Sequence, residues 1–173
     1  MEIFGLVGWS GSGKTTLLRL LLPELIGRGL RVSTMKHTHH NFDIDKPGKD
    51  SYMHREAGAH EVLITGSKRW AILHENRHKA EPDIDTLLAR MEDVDLVLIE
   101  GFKSHGHPKM EVFRPTVGKP LLAAEDETVV AVASDEHVDL DRCPILDLDD
   151  VPAVADFIFD FCDLERRAVD GAA

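Results

Sequence analysis

The sequence contains little cysteine, no excess of positive charge and no hydrophobic run long enough to cross a membrane. Only two of its 173 residues are cysteines, and Cys143 and Cys162 form neither a CxxC pair nor a metal-type spacing. Buried thiols in a reducing cytoplasm are therefore a simpler interpretation than a disulfide. The longest apolar stretch, residues 17–26, is interrupted by an arginine, a proline and a glutamate, which argues against a membrane span. The first residues lack the features of a secretory signal peptide, so a cytoplasmic location is expected.

The charge is unevenly distributed along the chain. The formal net charge is −11, which argues against a dedicated partner of nucleic-acid polymers, because phosphate contacts along a duplex need a basic face. Residues 1–122 carry 17 basic and 16 acidic side chains, a net charge of +1, whereas residues 123–173 carry 3 and 15, a net charge of −12. The acidity therefore belongs to the last third, and the first two thirds can still form a local basic pocket for a small anion.

The apolar pattern predicts an α/β protein with a mostly parallel sheet flanked by helices. A short apolar run at residues 3–7, a glycine-rich turn, an amphipathic helix and a second strand at residues 31–35 form a strand–loop–helix–strand unit. No linker divides the chain, so a single domain over residues 1–173 is expected, with a frayed tail at 166–173. Residues 109–114 alternate polar and apolar, which predicts an exposed edge strand within a β-extension at 95–120, available for pairing with a second copy. The pattern also predicts strands at 61–65, 70–73, 94–99 and 129–133, and helices at 51–57, 83–91 and 150–161.

A phosphate-binding motif lies between the first strand and the first helix. Residues 8–15 fit the pattern G-x-x-x-x-G-K-[ST] without a mismatch. In such a P-loop the backbone N–H groups and the helix N-terminus face phosphate oxygens, the lysine reaches the β- and γ-phosphates, and the threonine hydroxyl binds Mg²⁺. The candidate nucleotide-binding residues here are Gly8, Ser10, Gly11, Ser12, Gly13, Lys14, Thr15 and Thr16.

The acidic group that a P-loop protein needs for its metal is expected at the end of a neighbouring buried strand. Glu100 ends the apolar run 96–99, so it is the candidate catalytic and Mg²⁺-binding carboxylate beside Thr15. The polar loop after the second strand offers Asp45 as a further metal ligand, and Lys49 and Asp50 as ligand contacts. A solvent-exposed loop charge is an equally good interpretation for each of these three.

Histidines cluster in the same loop. His37, His39 and His40 lie within four residues, and such a group can bind a transition metal. Because the loop has no fixed ligand geometry and no nearby cysteine, contact with an anionic ligand is the favoured interpretation.

The chain resembles the MobB family of molybdopterin-guanine dinucleotide biosynthesis proteins over nearly its whole length. The resemblance is carried by the P-loop with Thr16 and by the blocks at residues 36–40, 45–52 and 100–103. It implies a P-loop NTPase fold, a homodimer and Mg²⁺-dependent GTP binding, with at most weak GTP hydrolysis. It further implies assistance to a MobA-like guanylyltransferase that joins GMP to molybdopterin, and molybdopterin or its guanine dinucleotide form as a second bound ligand. By the same resemblance His37, Gly101 and Lys103 line the site.

The base-recognition element is not evident from a known motif. The Asn-Lys-x-Asp guanine signature is absent, and Asp135, at the end of a late strand, is the candidate acceptor for guanine N–H groups. A turn residue is an equally good interpretation of Asp135. No residue is an obvious hydrolytic base, so turnover is expected to be slow. The alternative function is a P-loop kinase of small molecules, which would need a basic lid.

Overall fold

The computed structural model describes residues 1–38 and 42–166. The chain forms two compact units, one from residues 1–37 together with those from 93 onward, and one from residues 38–92. This division does not test whether the whole chain folds as one domain, so the single-domain expectation stays a prediction. The predicted frayed tail lies outside the described residues, apart from Arg166.

The order of elements is that of an α/β chain with a hairpin insertion. In chain order the elements are β1 Glu2–Val7, α1 Lys14–Gly27, β2 Val32–Lys36, α2 Asp50–Glu56, β3 Glu61–Thr65, β4 Trp70–His74, α3 Ile84–Leu88, β5 Leu96–Glu100, β6 Lys109–Phe113, β7 Val129–Ser134, β8 Ile145–Asp147 and α4 Val151–Phe161, with short 3₁₀ helices at Pro115–Val117 and Leu122–Ala124. Most predicted bounds are within two residues of these, α3 being shorter than expected.

The first unit is a six-stranded parallel sheet in the order β2-β5-β1-β6-β7-β8. Every residue of β5 is buried, as expected for a central parallel strand covered on both faces. Helices α1 and α4 cover one face, where Phe4, Leu21 and Ile158 are fully buried. The predicted fold class, a mostly parallel sheet flanked by helices, is confirmed.

The prediction of an exposed edge strand at residues 109–114 is wrong. Strand β6 lies inside the sheet between β1 and β7, and its polar residues Lys109 and Glu111 are completely buried. The alternation is real, but the polar face meets hydrogen-bonding partners from the chain rather than water. This strand therefore offers no free edge to a second copy.

The second unit contains α2, α3 and the antiparallel hairpin β3–β4. The register pairs Leu63 with Ile72 and Thr65 with Trp70, so Leu63, Ile72 and Trp70 share one face of the hairpin. These three side chains are 47–64% exposed. The hairpin therefore presents an apolar face. Across the described part of the chain, no helix combines the length and apolarity needed to span a bilayer.

Candidate functional site

The predicted site residues of the first unit gather at the carboxyl end of its parallel strands. Residues 8–15, called the glycine-rich loop below, follow β1, and Glu100 is the last residue of β5. Arg114 follows β6 directly and Asp135 follows β7 directly. Ligands of open α/β sheets bind at this edge, beyond the strand ends.

The glycine-rich loop follows a path that only glycine permits at its two ends. Gly8 has φ +141°, and a Cβ there would lie 2.3 Å from the Val112 carbonyl oxygen and 2.8 Å from the Ser12 hydroxyl. Gly13 has φ +100° and is the N-cap residue of α1. The loop therefore passes close to β6 and leads directly into the N-terminus of α1, where backbone N–H groups can bind an anion.

Two side chains of the loop can donate hydrogen bonds to a bound anion. The Ser12 hydroxyl is buried and lacks a hydrogen-bond partner among the described residues, and such orphaned groups need an explanation. The Lys14 ammonium donates to the Trp9 carbonyl at 2.9 Å. Burial lowers the pKa of Lys14, and this effect is partly opposed by the negative charge of Glu100. A phosphate oxygen could accept from both groups.

Thr15 and Glu100 form an oxygen-rich pair beside the loop. The Thr15 hydroxyl donates to Glu100 Oε1 at 2.9 Å, and the Lys36 ammonium lies 3.2 Å from the same oxygen. A hydroxyl and a carboxylate are the hard oxygen donors that Mg²⁺ prefers, so the residues present fit that ion. The sequence did not identify Lys36 as a site residue. Its place at the end of β2, which pairs with β5, brings it to Glu100.

The segment after β5 brings the predicted residues Gly101 and Lys103 to this edge, and its Phe102 contacts the predicted His37. Gly101 and Phe102 both have positive φ, +102° and +49°, which for phenylalanine is a strained conformation of the kind found at functional sites. Phe102 stacks on His37 with ring centroids 4.3 Å apart. The Lys103 ammonium lies 4.0 Å from the centre of the Trp9 ring, a cation–π contact, and burial lowers its pKa.

Asp135 is held by Arg114, a residue that sequence reasoning missed. Arg114 Nη1 donates to Asp135 Oδ2, while Asp135 Oδ1 is buried without a hydrogen-bond partner among the described residues. Arg114 follows the strand that was mistaken for an edge. Placing β6 inside the sheet from its apolar positions would have brought Arg114 to the site.

Of the remaining predicted residues, Thr16 is the third residue of α1, and Asp45, Lys49 and Asp50 lie in the second unit. Both carboxylate oxygens of Asp45 accept hydrogen bonds from the Arg55 guanidinium, at 3.0 and 3.4 Å. Lys49 is the N-cap residue of α2 and Asp50 is the first residue of that helix. The roles predicted for these three residues stay predictions. His39 and His40 lie outside the described residues, and within ranges 1–38 and 42–166 no three His, Cys, Asp or Glu side chains form a potential metal site.

A cavity of about 640 Å³ lies beside the glycine-rich loop and was not predicted. Trp9, Lys103 and Asp126 are among the residues that line it. Two buried side chains of β6 hold its walls: the Lys109 ammonium donates to the carbonyls of residues 103 and 105, and the Glu111 carboxylate accepts from the N–H groups of residues 122 and 123. Burial lowers the pKa of Lys109 and raises that of Glu111.

Comparisons with known proteins agree over nearly the whole chain. The family model described as molybdopterin guanine dinucleotide synthesis protein B matches residues 3–135. A "molybdopterin-guanine dinucleotide biosynthesis adapter protein" from Escherichia coli K12 is 43% identical over 164 residues, which cover 93% of each chain. A protein of the same description from Haemophilus influenzae is 46% identical over 161 residues, 91% of this chain and 88% of the relative. A crystal structure of molybdopterin-guanine biosynthesis protein B matches with a TM-score of 0.74 at 31% identity, covering 93% of this chain and 99% of that chain.

Proposed function

Because the chain belongs to the molybdopterin-guanine dinucleotide synthesis protein B family, we propose that it is a GTP-binding adapter in the synthesis of that cofactor. In this role it assists a MobA-like guanylyltransferase that joins GMP to molybdopterin, and it hydrolyses GTP slowly at most. The single observation that carries the nucleotide-binding part is the glycine-rich loop, with its buried orphan hydroxyl and its lysine at the N-terminus of α1.

In this proposal, different residues of the site bind the phosphates and the Mg²⁺ ion of the nucleotide. Backbone N–H groups of the loop, Ser12 and Lys14 bind phosphate oxygens, and Thr15 and Glu100 hold Mg²⁺. When bound, the ion neutralises charge on the phosphates. The Lys36 ammonium forms an ion pair with Glu100 Oε1 at 3.2 Å. Because this proposal uses Glu100 to hold the ion, that carboxylate is not assigned as the base that activates water, and turnover is proposed to be slow.

The proposed assembly is a homodimer formed by the apolar face of the β3–β4 hairpin. A two-stranded hairpin is only marginally stable alone, and Leu63, Trp70 and Ile72 form an apolar stripe on one face. A second copy offers the same stripe, and self-complementary patches of this kind form two-fold interfaces. Leu63→Ser should shift the chain toward monomer in analytical ultracentrifugation, whereas Ala71→Ser on the opposite face should not. A dimer that survives Leu63→Ser contradicts this interface.

We also propose molybdopterin or its guanine dinucleotide form as a further ligand of the chain. The proposed location is the cytoplasm. Both cysteines are free, and burial raises the pKa of the Cys162 thiol to about 12. Cys162 is buried and Cys143 is partly buried, and free thiols of this kind suit a reducing compartment.

Nucleotide binding is tested by isothermal titration calorimetry with GTP, GDP and ATP in the presence of Mg²⁺. We expect GTP to bind more tightly than ATP, Lys14→Ala to abolish binding without unfolding the chain, and the exposed control Arg19→Ala to bind as wild type. Retained binding by Lys14→Ala would contradict the site. Equal affinity for ATP and GTP, with phosphate transfer to a small acceptor, would favour the kinase alternative.

The adapter role is tested by mixing the chain with a guanylyltransferase of the same pathway. We expect the two to co-elute in size-exclusion chromatography and the transferase to form more guanine dinucleotide product. Failure to co-elute with or without GTP, and no change in product formation, would contradict the adapter role while leaving nucleotide binding intact.

A further inference from the structure

A single arginine connects the glycine-rich loop to the carboxylate at the end of the neighbouring strand. The register pairs Phe113 with Ser134, so Arg114 and Asp135 leave adjacent parallel strands side by side. A Cβ on Gly13 would lie 3.5 Å from Arg114 Nε, and Arg114 Nη1 donates to Asp135 Oδ2. One guanidinium group therefore spans the distance from the start of α1 to Asp135.

The other carboxylate oxygen of Asp135 has no donor. Asp135 Oδ1 is buried and lacks a hydrogen-bond partner among the described residues, a costly state for an acceptor. Asp135 lines a cavity of about 250 Å³, together with residues 134, 136–137 and 145–147. That volume is below the roughly 300–1,000 Å³ of pockets that enclose whole drug-sized ligands, so the pocket can hold only part of a nucleotide, such as its planar base.

We propose that Arg114 and Asp135 form the base-recognition element of the nucleotide site, with Asp135 Oδ1 accepting from guanine N1–H and the 2-amino group and Arg114 acting as its positioning residue. This inference rests on the proposed function and extends it to the determinant of base specificity. The two hydrogen bonds from guanine require that the Asp135 carboxylate is held in one orientation, and the hydrogen bond from Arg114 to Oδ2 fixes that orientation. The arrangement performs the recognition for which this chain has no Asn-Lys-x-Asp motif.

The inference predicts an inversion of base preference. In Asp135→Asn the amide NH₂ opposes the 2-amino group of guanine but can donate to the 2-carbonyl of xanthine. We expect calorimetry with Mg²⁺ to show GTP affinity lowered by about tenfold or more and XTP affinity raised. Asp139→Asn, an exposed position on the same connection between β7 and β8, is the matched control and should keep the wild-type ratio of GTP to XTP affinity.

Arg114 is tested by selectivity, not by affinity alone. Arg114→Ala should bind GTP and ITP, which lacks the 2-amino group, with similar affinities, and it should lose less affinity for inorganic triphosphate than for GTP. Arg114→Lys keeps a cation and should restore part of the preference for GTP over ITP. Equal loss of all three ligands in Arg114→Ala, without rescue by Arg114→Lys, would mean a merely structural role and would overturn the inference.

The outcomes separate this inference from the function on which it rests. If the wild-type chain binds neither GTP, ATP nor inorganic triphosphate, both the proposed function and this inference fail. If the wild type prefers GTP to ATP and Asp135→Asn keeps the wild-type ratio of GTP to XTP affinity, the nucleotide site stands and only the base-recognition element is wrong.

Discussion

Replacement of the buried Lys109 by methionine tests whether an interior cation holds the segment after β5 in place. Lys109 is completely buried. Its ammonium donates to the carbonyl of Lys103 at 2.9 Å and to that of His105, and lies 3.5 Å from Asp126 Oδ2. Methionine preserves much of the side-chain volume but removes the donor, so two carbonyl groups lose a hydrogen bond and the Asp126 carboxylate loses its cation.

The expected cost follows from these contacts. Each hydrogen bond from a charged donor contributes about 1.5–3 kcal/mol, and the variant no longer has to bury a cation, which offsets part of the loss. Because Asp126 is about one third exposed, water compensates that carboxylate. We therefore expect Lys109→Met to lower the free energy of unfolding by about 3 kcal/mol. For a chain of this size that corresponds to a fall in Tm of roughly 6–12 °C.

Urea denaturation followed by circular dichroism, and a thermal scan, measure this cost. The exposed Lys68→Met is the matched control and should unfold as wild type. The double variant Lys109→Met/Asp126→Asn should recover part of the loss, because it also removes the carboxylate left without its cation. Unchanged stability of Lys109→Met would refute the reasoning, since the cation would then contribute nothing to holding the 103–105 segment.

Three further changes test local contacts. Gly5→Ala should destabilise the protein by about 1–3 kcal/mol in urea denaturation, because its Cβ would lie 2.6 Å from His107 Nε2. The control Gly27→Ala, whose Cβ would have no atom within 4 Å, should be neutral or stabilising by up to about 1 kcal/mol. Equal effects of the two substitutions would contradict the packing around Gly5. Burial and the neighbouring lysine lower the pKa of His107 to about 4, below its unfolded value of about 6.5. The free energy of unfolding is therefore highest above pH 6.5 and should fall by up to about 3 kcal/mol as the pH drops toward 4. This fall should be smaller in His107→Leu, and parallel curves of unfolding free energy against pH for the two proteins would exclude His107 as its origin. Asp150→Ala removes the N-cap acceptor of Ala153 N–H and should cost about 1 kcal/mol, unlike Asp149→Ala; a thermal scan that ranks them otherwise would contradict the cap.

The sheet could be predicted from sequence because most of its strands are continuous apolar runs. Strands β5 and β7 have no exposed residue, and β1 has only Glu2 exposed at its first position. The glycine-rich loop fixes the direction of the first βα unit. The edge-strand prediction for β6 was wrong because alternation of polar and apolar residues reveals a polar face but does not show whether water or protein covers that face. Only the covering segments, which place carbonyl and N–H groups over Lys109 and Glu111, decide that question.

The candidate site divides in the same way. Residues joined by a motif, such as Lys14 and Thr15, were predicted from spacing, and Glu100 from its position at a strand end. Arg114 and Lys36 were not predicted as site residues, because their roles depend on which strands become neighbours. Asp45 was predicted from its charge alone, and its hydrogen bonds with Arg55 could not be foreseen from spacing; its role as a ligand contact stays a prediction.

The contact between Lys103 and Trp9 gives the molecule a built-in optical probe. The indole N–H of Trp9 donates to the Pro120 carbonyl at 2.7 Å, and the Lys103 ammonium stands 4.0 Å above the ring. The emission energy of an indole depends on the electric field across it, so any event that moves Lys103 changes the emission maximum and the intensity of Trp9 fluorescence. With only one other tryptophan in the chain, the variant Trp70→Phe would report on the glycine-rich loop alone, without an attached dye.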